Sequence, residues 1–514
     1  MTPAEGALRS VPSGTLLLVV LPLLKLFVHL AVGAGYGYHR DELYYLDCAE
    51  HLDWGYVDHP PFCVLVLAVT RALLGDSIAA IRVVPAVAGA LVVLLVGLMA
   101  RRLGGGSFAQ ALAMTAVLVA PFHLALNQYF SMNAIDLLVW ALGARIFLEI
   151  LLGGSERLWW WLGVVLGIGL QNKISVLWLG GGLLAGLLLT PQRVLLRTRG
   201  PWIAAAIAFL LFAPHVFWQV AHGWPIREFI RNVTEDKLVA LGPIRFLRAQ
   251  IDGMLWVAAP VWMAGIAYTL FLAKGKSIRA VAWAWLAVFA LLAMSRSSRP
   301  VYLAPAYALI IPAGGVAIEV LMSRFGAWPR VAILGLLAVY GFRGSAFVLP
   351  RLPVETLASY SMGIAGAQRA EERTGTAALP EFLAHMSGWP EIVETVVGVY
   401  GQLPAEDRER VAILAPNYGV AGAIDRLGRP RGLPRALSGH NSYWLWGPQG
   451  ERGDVLIVIG GGEARLNEWF AEVTHAADTH CDYCMSYENR RPVWVVRKPR
   501  QTLEALWPRL KFYL

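Results

Sequence analysis

Charge is scarce in this sequence. Charged residues make up only 15% of its 514 positions, whereas about 25% is usual in soluble globular proteins. Cysteine is rare too, with four in the chain. These are too few for a disulfide-dense secreted scaffold and do not follow a four-ligand zinc pattern. The glycine run at 460–462 follows a strand-like segment but lacks the GxGxxG or GKS/T pattern, so we interpret it as a plain strand-to-helix turn. These absences exclude an ordinary soluble enzyme.

Apolar residues dominate instead. Hydrophobic residues make up 57% of the chain, which also has 20 Trp and 51 Gly. Trp favours the headgroup region of a bilayer, and Gly is frequent in packed membrane helices. The net charge of +9 does not indicate a nucleic-acid partner, because much of the Lys and Arg lies in short loops between apolar runs. The composition is therefore that of a membrane protein in contact with lipids.

Apolar runs of spanning length fill the first 350 residues. A helix needs about 20 apolar residues to cross the hydrocarbon. The first run is too long for a signal-peptide core and no small-residue cleavage site follows it, so we expect it to be retained. Residues 60–75 are apolar but short and begin with two prolines, which favours a helix lying at the interface. We predict about eleven spans, near 14–34, 78–100, 107–126, 131–152, 158–171, 173–190, 201–221, 251–273, 280–296, 301–322 and 331–349.

Basic residues concentrate in alternate loops. These loops lie on one side of the membrane if the N-terminus is cytoplasmic, as the positive-inside rule requires. The other side then receives the first external loop at 35–77, the loop at 222–250, the turn at 297–300 and everything after residue 350. We therefore expect a multi-pass protein of the cell (inner or plasma) membrane whose C-terminal part is extracytoplasmic.

The composition changes after residue 350, where charge rises and two prolines mark the break. Short β-like runs there alternate with helical patterns, which predicts a small soluble α/β domain. The expected fold class is thus an α-helical multi-pass membrane domain at 1–350, followed by an extracytoplasmic α/β domain at 351–514. The predicted strands are 411–414, 455–459 and 493–496, and the predicted helices are 419–427, 463–477 and 502–510.

The first external loop is the densest polar segment of the membrane half. Between residues 36 and 61 it contains six carboxylates, three histidines and six aromatic residues. An interfacial aromatic belt explains the aromatic residues but not the acids. Asp41 and Glu42 are adjacent and point about 100° apart on a helix, so we expect one to face a reacting hydroxyl while the other holds structure. In a partly dry cleft a carboxylate acquires a raised pKa and becomes a better general base. The alternative is a solvated loop with surface acids.

Five further polar residues are expected on the same membrane face. Asp136 lies near the outer end of the fourth span, and Lys173 lies where the fifth span meets the sixth. His59 closes the first loop, and Arg299 and Tyr302 begin the tenth span. Cations and tyrosine hydroxyls gathered at one surface suit an anionic lipid headgroup such as a phosphate. Taken singly, each side chain is explained as a snorkelling or capping residue.

Some residues have no role that the sequence defines. Lys25 lies midway along the first span, where a charge is costly, so we expect it to face other helices. Two cysteine pairings stay open, Cys481 with Cys484 and Cys48 with Cys63. The residues define no metal site, and whether a divalent metal takes part also stays open.

Several motifs follow one another in order along the chain. They are Asp41-Glu42, Asp58-His59-Pro60-Pro61, Asp136, Gly169-Leu-Gln-Asn-Lys173, His222-Gly-Trp-Pro225, Arg299-Pro-Val-Tyr302 and the C-terminal Ser438-Gly-His-Asn-Ser-Tyr-Trp-Leu-Trp-Gly447. In these motifs the sequence resembles lipid-linked-sugar-dependent membrane glycosyltransferases. This group includes protein O-mannosyltransferases, among them bacterial proteins of the dolichyl-phosphate-mannose-protein mannosyltransferase type, and the aminoarabinose transferases that modify lipid A.

The resemblance implies a GT-C-type fold and a polyprenyl-phosphate-linked sugar as donor. It also implies inverting transfer of a hexosyl or pentosyl group to an acceptor hydroxyl on the extracytoplasmic face. In this family pattern Asp41 matches the general base, with Glu42 beside it, and Asp136 matches the second acid. The acceptor is a protein, a lipid or a glycan, and the sequence does not distinguish among them.

The resemblance also assigns the donor phosphate and shows two departures. His59, Lys173, Arg299 and Tyr302 would face the phosphate, but His59 stands where relatives often carry Lys, which makes that contact pH-sensitive. The supporting residues are Arg40, Tyr44 and Asp58. Tyr44 stands where the aminoarabinose transferases have an Arg, three positions after the first acid.

Two other classes of function compete with a transferase. A secondary transporter would place polar residues and broken helices near mid-membrane and would repeat its two halves. Here the polar groups gather at one face and no repeat is visible. A non-catalytic polyprenyl-lipid-binding scaffold would keep the basic cluster but would not need Asp41.

Overall fold

The computed structural model describes residues 13–364 and 377–514. Helices make up nearly all of the part before residue 365. In chain order they are α1 Ser13–Ala31, α2 Arg40–Cys48, α3 Phe62–Leu74, α4 Ile78–Ile81, α5 Val83–Arg102, α6 Ser107–Leu118, α7 Pro121–Leu126, α8 Met132–Leu151, α9 Leu158–Asn172, α10 Val176–Leu188, α11 Gly200–Ala221, α12 Pro225–Asn232, α13 Pro243–Gly253, α14 Ala259–Phe271, α15 Arg279–Met294, α16 Ile311–Met322, α17 Ala327–Ser345 and α18 Val354–Ile364. Short 3₁₀ or π segments join some of them.

The helices of spanning length are fewer than the sequence predicts. By length and composition, the described residues contain four helices able to cross a membrane, or up to seven if each of three bent pairs counts as one. The predicted number of about eleven is therefore not confirmed. The difference arises where a predicted span is broken or short. The run 107–126 divides between α6 and α7, because proline at the start of α7 cannot continue the helix.

Two other predicted spans are bent rather than straight. The segment Pro243–Gly253 meets Trp256–Phe271 at 93°, and Leu255 between them has φ of +67°, outside the helical region. The tenth predicted span begins as a 3₁₀ segment, Pro300–Leu309, before α16. Backbone that departs from the helix at membrane depth is tolerated where protein covers it, and eight of the ten residues of Pro300–Leu309 are buried.

The first external loop contains two helices. Its residue His39 caps α2, because the ring accepts a hydrogen bond from the backbone N–H of Asp41 and the Glu42 carboxylate accepts from the N–H of His39. Eight of the nine residues of α2 are buried. The apolar run that was predicted to lie at the interface forms α3, which has only 13 residues.

The part after residue 376 contains a five-stranded sheet in the order β2-β1-β3-β5-β4. The strands β1, β2 and β3 are parallel, whereas β5 runs antiparallel to β3 and to β4. The strands are β1 Val411–Ala415, β2 Ala436–Ser438, β3 Val455–Ile459, β4 Phe470–Asp478 and β5 Pro492–Pro499. The helices of this part are α19 Glu381–Ala384, α20 Trp389–Gln402, α21 Ala405–Arg408, α22 Tyr418–Ala423, α23 Ser442–Trp446, α24 Glu463–Trp469 and α25 Leu503–Leu506.

The predicted strands are present, but one predicted helix is wrong over half its length. The pattern at 463–477 is helical only to Trp469, after which the chain becomes β4 and pairs with β5. Pairing along an exposed sheet edge overrides the local helical preference there. The sequence also missed β2. The glycine run at 460–462 follows β3 as a turn, with Gly460 and Gly461 at φ of +80° and +81°.

The sheet part packs directly onto α2. Leu43 and Tyr44 of α2 belong to the same buried cluster as Ile413 and Tyr418. The approach is close, because a Cβ added to Gly422 would lie 2.8 Å from the Cβ of Leu43. The core is therefore continuous from the loop helix into the C-terminal sheet part, and a domain boundary near residue 350 stays a prediction.

The segments expected on one side of the membrane meet in the structure. Lys511 pairs with Glu228 of the 222–250 loop at 2.6 Å, and Asn232 of that loop donates to the Tyr513 carbonyl at 2.9 Å. The assignment of this side as extracytoplasmic stays a prediction.

The open question about the cysteines is answered in part. Cys481 and Cys484 form a disulfide. Cys48 and Cys63, by contrast, are free and buried.

Candidate functional site

Asp41 lies in the first turn of α2, at the junction with the C-terminal sheet part. Its Oδ1 accepts a hydrogen bond from the Tyr418 hydroxyl at 3.1 Å, and its Oδ2 lies 3.8 Å from Nδ1 of His39. The side chain keeps 32% of its surface exposed, unlike the acids that follow it on the helix. Asp41 is thus the partly exposed carboxylate of the α2 first turn.

The charge state of Asp41 differs from the expectation. Burial alone raises the pKa of a carboxylate, but His39 and Arg40 outweigh burial here and hold the pKa of Asp41 below its ordinary value. Burial lowers the pKa of His39 to about 3, so at neutral pH the lasting positive charge beside Asp41 is that of Arg40. The raised pKa predicted for this carboxylate is therefore wrong, because the positive charge of the adjacent Arg40 opposes the effect of burial. Asp41 is ionised at neutral pH and is free to accept a proton.

Arg40 is held by two tyrosines of the sheet part. Its guanidinium lies 4.6 Å from the ring centroid of Tyr418 and donates to the Tyr487 hydroxyl at 2.6 Å. Stacking against aromatic faces stabilises a cation away from bulk water. The position of the positive charge next to Asp41 thus depends on the C-terminal part of the chain.

Glu42 has an environment opposite to that of Asp41. It is fully buried, and its two carboxylate oxygens accept from Arg82 at 2.8 and 2.6 Å. The backbone N–H groups of His39 and Phe130 also donate to it, each at 2.8 Å. These four bonds occupy the carboxylate, so Glu42 fastens the loop and faces no substrate.

Tyr44, Asp58 and His59 form a second group, facing the C-terminal motif. The Tyr44 hydroxyl donates to Asp58 at 2.9 Å and lies 2.7 Å from Oγ of Ser442. Burial raises the pKa of Asp58, and His59 and Tyr44 offset that rise only in part. His59 is buried, with Nδ1 3.0 Å from the Pro60 carbonyl and Nε2 4.0 Å from Asp58. This geometry assigns the proton to Nδ1, so Nε2 can donate only once His59 is protonated.

Asp136 and Lys173 lie together below the loop. Nζ of Lys173 is 3.6 Å from Asp136 and donates to the side-chain oxygen of Asn133 at 2.7 Å. The Ser175 hydroxyl also donates to Asp136, at 3.0 Å. Lys173 lies 5.0 Å from the ring centroid of Tyr302. The second acid is therefore buried and paired with the predicted phosphate ligand Lys173.

Arg299 has an acidic partner that the sequence did not indicate. It donates to Glu381 at 2.8 Å, and His385 lies 3.9 Å from the same carboxylate oxygen. Burial alone would raise the pKa of Glu381, but His385 and Arg299 outweigh it and lower that pKa to about 2. The ring of His385 lies 5.5 Å from that of His39. The Arg299 pair thus adjoins the Asp41 group.

The structure gathers the predicted site residues into four groups, around Asp41, Tyr44, Lys173 and Arg299. Tyr129 lies beside the first of them, because its ring lies 4.1 Å from that of His39 and the adjacent Phe130 donates to Glu42. Four contributors after residue 377 were missed, namely Glu381, His385, Tyr418 and Tyr487. No local pattern could have found them, since each is recognisable only by its contact with a residue more than 80 positions away. Among the described residues, no group of three or more His, Cys, Asp or Glu side chains could hold a metal ion.

Comparison with known proteins gives the class. The family model described as dolichyl-phosphate-mannose-protein mannosyltransferase matches residues 58–218. No curated protein matches the sequence. In the solved structures, ArnT from Cupriavidus metallidurans bound to undecaprenyl phosphate has a TM-score of 0.60 and 14% identity, with 94% of this chain and 97% of that chain covered.

Two further solved structures have the same fold. ArnT from Cupriavidus metallidurans in the apo state gives a TM-score of 0.60 at 16% identity, with the same 94% and 97% coverage. The apo oligosaccharyltransferase of Archaeoglobus fulgidus gives 0.50 at 12% identity and covers 82% of this chain and 64% of that chain.

These findings define a membrane protein with the GT-C-type glycosyltransferase fold and a small C-terminal sheet. Residues 58–218 are similar to mannosyltransferases and the fold is similar to that of ArnT, which confirms the resemblance stated from the sequence.

Proposed function

We propose that this protein transfers a sugar from a polyprenyl-phosphate-linked donor to an acceptor hydroxyl, with inversion, on the extracytoplasmic face of the membrane. Asp41 acts as general base. The single observation that carries the proposal is the contrast between two neighbouring carboxylates. Asp41 is ionised and a third exposed, whereas Glu42 is sealed against Arg82.

The base has a simple task in this scheme. An acceptor hydroxyl is a poor nucleophile, and a positioned carboxylate that removes its proton accelerates attack by about 10²–10⁴. The lowered pKa of Asp41 keeps the carboxylate ionised at neutral pH but makes it a weak base. Placement of the acceptor hydroxyl within hydrogen-bond reach of Asp41 therefore matters more here than the basicity of the carboxylate.

The donor phosphate is proposed to bind beside the two buried ion pairs. Lys173 and Arg299 each carry an acidic partner, Asp136 and Glu381. A phosphate arriving there has to share or displace those carboxylates, and the cations then stabilise the charge that develops on the leaving phosphate. His59 is proposed as a further phosphate contact, and Tyr302 flanks Lys173.

Two kinds of support stand behind this donor. One similar structure, ArnT, is described as bound to undecaprenyl phosphate, and the family that matches residues 58–218 is named for dolichyl-phosphate-mannose. The location of the polar groups agrees with a lipid donor, because they lie in the loops and at helix ends, where a headgroup resides.

Lys25 is a buried polar residue outside these groups. Lys25 is buried in α1 and donates to the His123 carbonyl at 3.3 Å. It stands apart from the groups around Asp41, and its contact with a backbone carbonyl gives it a structural partner. The proposal therefore assigns it no part in transfer.

The decisive experiment is transfer by the purified protein. Radiolabelled polyprenyl-phosphate sugars are incubated with cell-envelope acceptors and the detergent-solubilised protein, with Asp41→Asn as the matched inactive control. Mass spectrometry of glycolipids and glycoproteins from a strain lacking the gene then identifies sugar and acceptor. If the wild-type protein bound the donor but transferred no sugar, the result would favour a non-catalytic lipid-binding scaffold over an enzyme.

Topology is tested separately. A reporter fused after residue 350 should be active outside the cytoplasm, and one in the 191–200 loop should be active inside. A cytoplasmic C-terminal part would exclude transfer on the outer face.

A further inference from the structure

Tyr418 of the C-terminal sheet part reaches into the site. It is the first residue of α22, directly after the Asn417 cap, whose side chain accepts from the N–H groups of Gly419 and Val420. This cap fixes the start of the helix next to α2. The Tyr418 side chain is only 7% exposed, and its hydroxyl donates to Oδ1 of Asp41 at 3.1 Å.

Three side chains pack against the Tyr418 ring. It stacks on Tyr44 at 4.7 Å and on His440 at 4.7 Å, and the Arg40 guanidinium lies 4.6 Å from its centroid. The backbone N–H of Tyr418 donates to Nδ1 of His440 at 3.2 Å, and Nε2 of His440 lies 2.7 Å from the Leu514 carbonyl. Because the ring and backbone are both fixed, the direction of the hydroxyl is fixed too.

The hydroxyl can act only as a donor towards Asp41. Burial raises the pKa of Tyr418 well above its ordinary value, although Arg40 opposes the rise, so the proton stays on the tyrosine at physiological pH. An ionised carboxylate has no proton to give. The bond therefore runs from Tyr418 to Asp41 and favours the ionised carboxylate.

We infer that Tyr418 is a positioning residue for the base: it holds Oδ1 of Asp41 so that Oδ2 is directed to the acceptor hydroxyl. The inference rests on the proposed function of Asp41. It makes the C-terminal part a component of the reacting site, because the residue that orients the Asp41 carboxylate lies 377 positions further along the chain.

The test compares two tyrosine variants of one interface. Tyr418→Phe removes the hydroxyl but keeps the ring between Tyr44 and His440. Tyr443→Phe is the matched control. It also removes a hydroxyl of the C-terminal sheet part, but that hydroxyl bonds Asp47, another acid of α2. Transfer from a polyprenyl-phosphate sugar is measured against pH for the full-length protein in detergent.

In Tyr418→Phe we expect kcat to fall about tenfold with the donor KM unchanged. The acidic limb of kcat/KM should move about one unit to higher pH, because a lost donor destabilises the ionised carboxylate. Tyr443→Phe should leave the limb in place, and Tyr418→His, which retains a ring and a donor, should restore part of it. If both Phe variants lost kcat equally and the acidic limb of kcat/KM did not move, Tyr418 would have a packing role only.

A second readout does not depend on transfer. Carbodiimide labels protonated carboxyls, so the pH midpoint of Asp41 labelling, followed by peptide mass spectrometry, should rise in Tyr418→Phe and stay unchanged in Tyr443→Phe. An unmoved midpoint overturns the role of Tyr418 whatever the activity. Absence of transfer by the wild type, with the midpoint still shifting, counts against the proposed function alone.

Discussion

The two ends of α2 meet the C-terminal part in different ways. At the N-terminal end Asp41 keeps a third of its surface exposed and accepts one tyrosine hydroxyl. At the other end Asp47 is buried and accepts the Tyr443 hydroxyl, and the ring of His51 stacks on Trp446 at 4.2 Å. One helix thus has an open end suited to chemistry and a closed end suited to anchoring.

Charge follows the same division. Burial raises the pKa of Asp47 well above its ordinary value, and the nearby Asp425 adds to the rise, whereas the pKa of Asp41 is lowered. The difference teaches that the acids of this loop do not form one set. Their roles depend on which neighbour the C-terminal part brings to each of them.

The largest effect should come from Glu42, which fastens the open end. Glu42→Gln leaves the Arg82 charge buried without its counterion, which should lower the free energy of unfolding by about 3–5 kcal/mol. The double variant Glu42→Gln with Arg82→Met should recover much of the loss, because it buries no unpaired charge. Thermal unfolding in detergent measures both, and a single variant as stable as the wild type would contradict the buried ion pair.

Asp41→Asn should break the open end chemically. It keeps shape and hydrogen bonding but removes the proton acceptor, so the rate should fall at least about 100-fold while donor binding changes little. Initial rates and a donor-binding assay measure the two quantities.

The controls for Asp41 lie on the same loop. Asp47→Asn and Asp53→Asn make the same chemical change at the closed end and at an acid bonded to Trp218. Equal losses in all three variants would make the acids a structural set and end the distinction between the two ends of α2.

A smaller effect is expected where Glu381 holds Arg299 beside the open end. Because the pair is about a quarter exposed on both sides, its strength is that of a partly screened ion pair. Glu381→Gln should remove the carboxylate that competes with the donor phosphate for Arg299 and tighten donor binding about two- to fivefold, whereas Arg299→Ala should weaken it. If donor affinity were the same in both variants, Arg299 would not contact the phosphate.

The smallest effect concerns the closed end and pH. Burial raises the pKa of Asp425 from 3.8 to about 6, so the folded protein keeps this proton while the unfolded chain loses it. The contribution of Asp425 to stability is therefore complete below pH 4 and is lost as the pH rises through about 6. Asp425→Asn should raise the melting temperature at pH 8 by about 2–4 °C and have little effect at pH 4. The exposed Asp454→Asn should show no such difference.

Sequence patterns predicted those parts of the fold that depend on local information. The run 455–459 matches β3 at both ends, because a buried strand is a continuous apolar segment with turn residues on each side. The helical pattern at 463–477 failed where β4 pairs with β5, since an edge strand is defined by its partner and not by its own residues. Predicted spans failed as single helices where proline or a positive φ interrupts them.

For the candidate site, too, the sequence displayed only what depends on local information. The acids and cations on the loops and helix ends were visible as polar residues in an apolar sequence. Their partners were not, because Tyr418 contacts Asp41 across 377 positions and Glu381 contacts Arg299 across 82. The direction of the Asp41 pKa failed as well, since burial and neighbouring charge compete and only coordinates decide which is larger.

Arg82 connects three parts of the molecule through one guanidinium. It bonds Glu42 of α2 and the carbonyls of Gly33 and Gly37 after α1, from its own place between α4 and α5. Because one buried guanidinium bonds all three, α2 cannot move away from the chain after α1 or from the start of α5 without breaking the Arg82–Glu42 ion pair. The position of the Asp41 backbone in the loop is therefore coupled to the membrane helices through its neighbour Glu42.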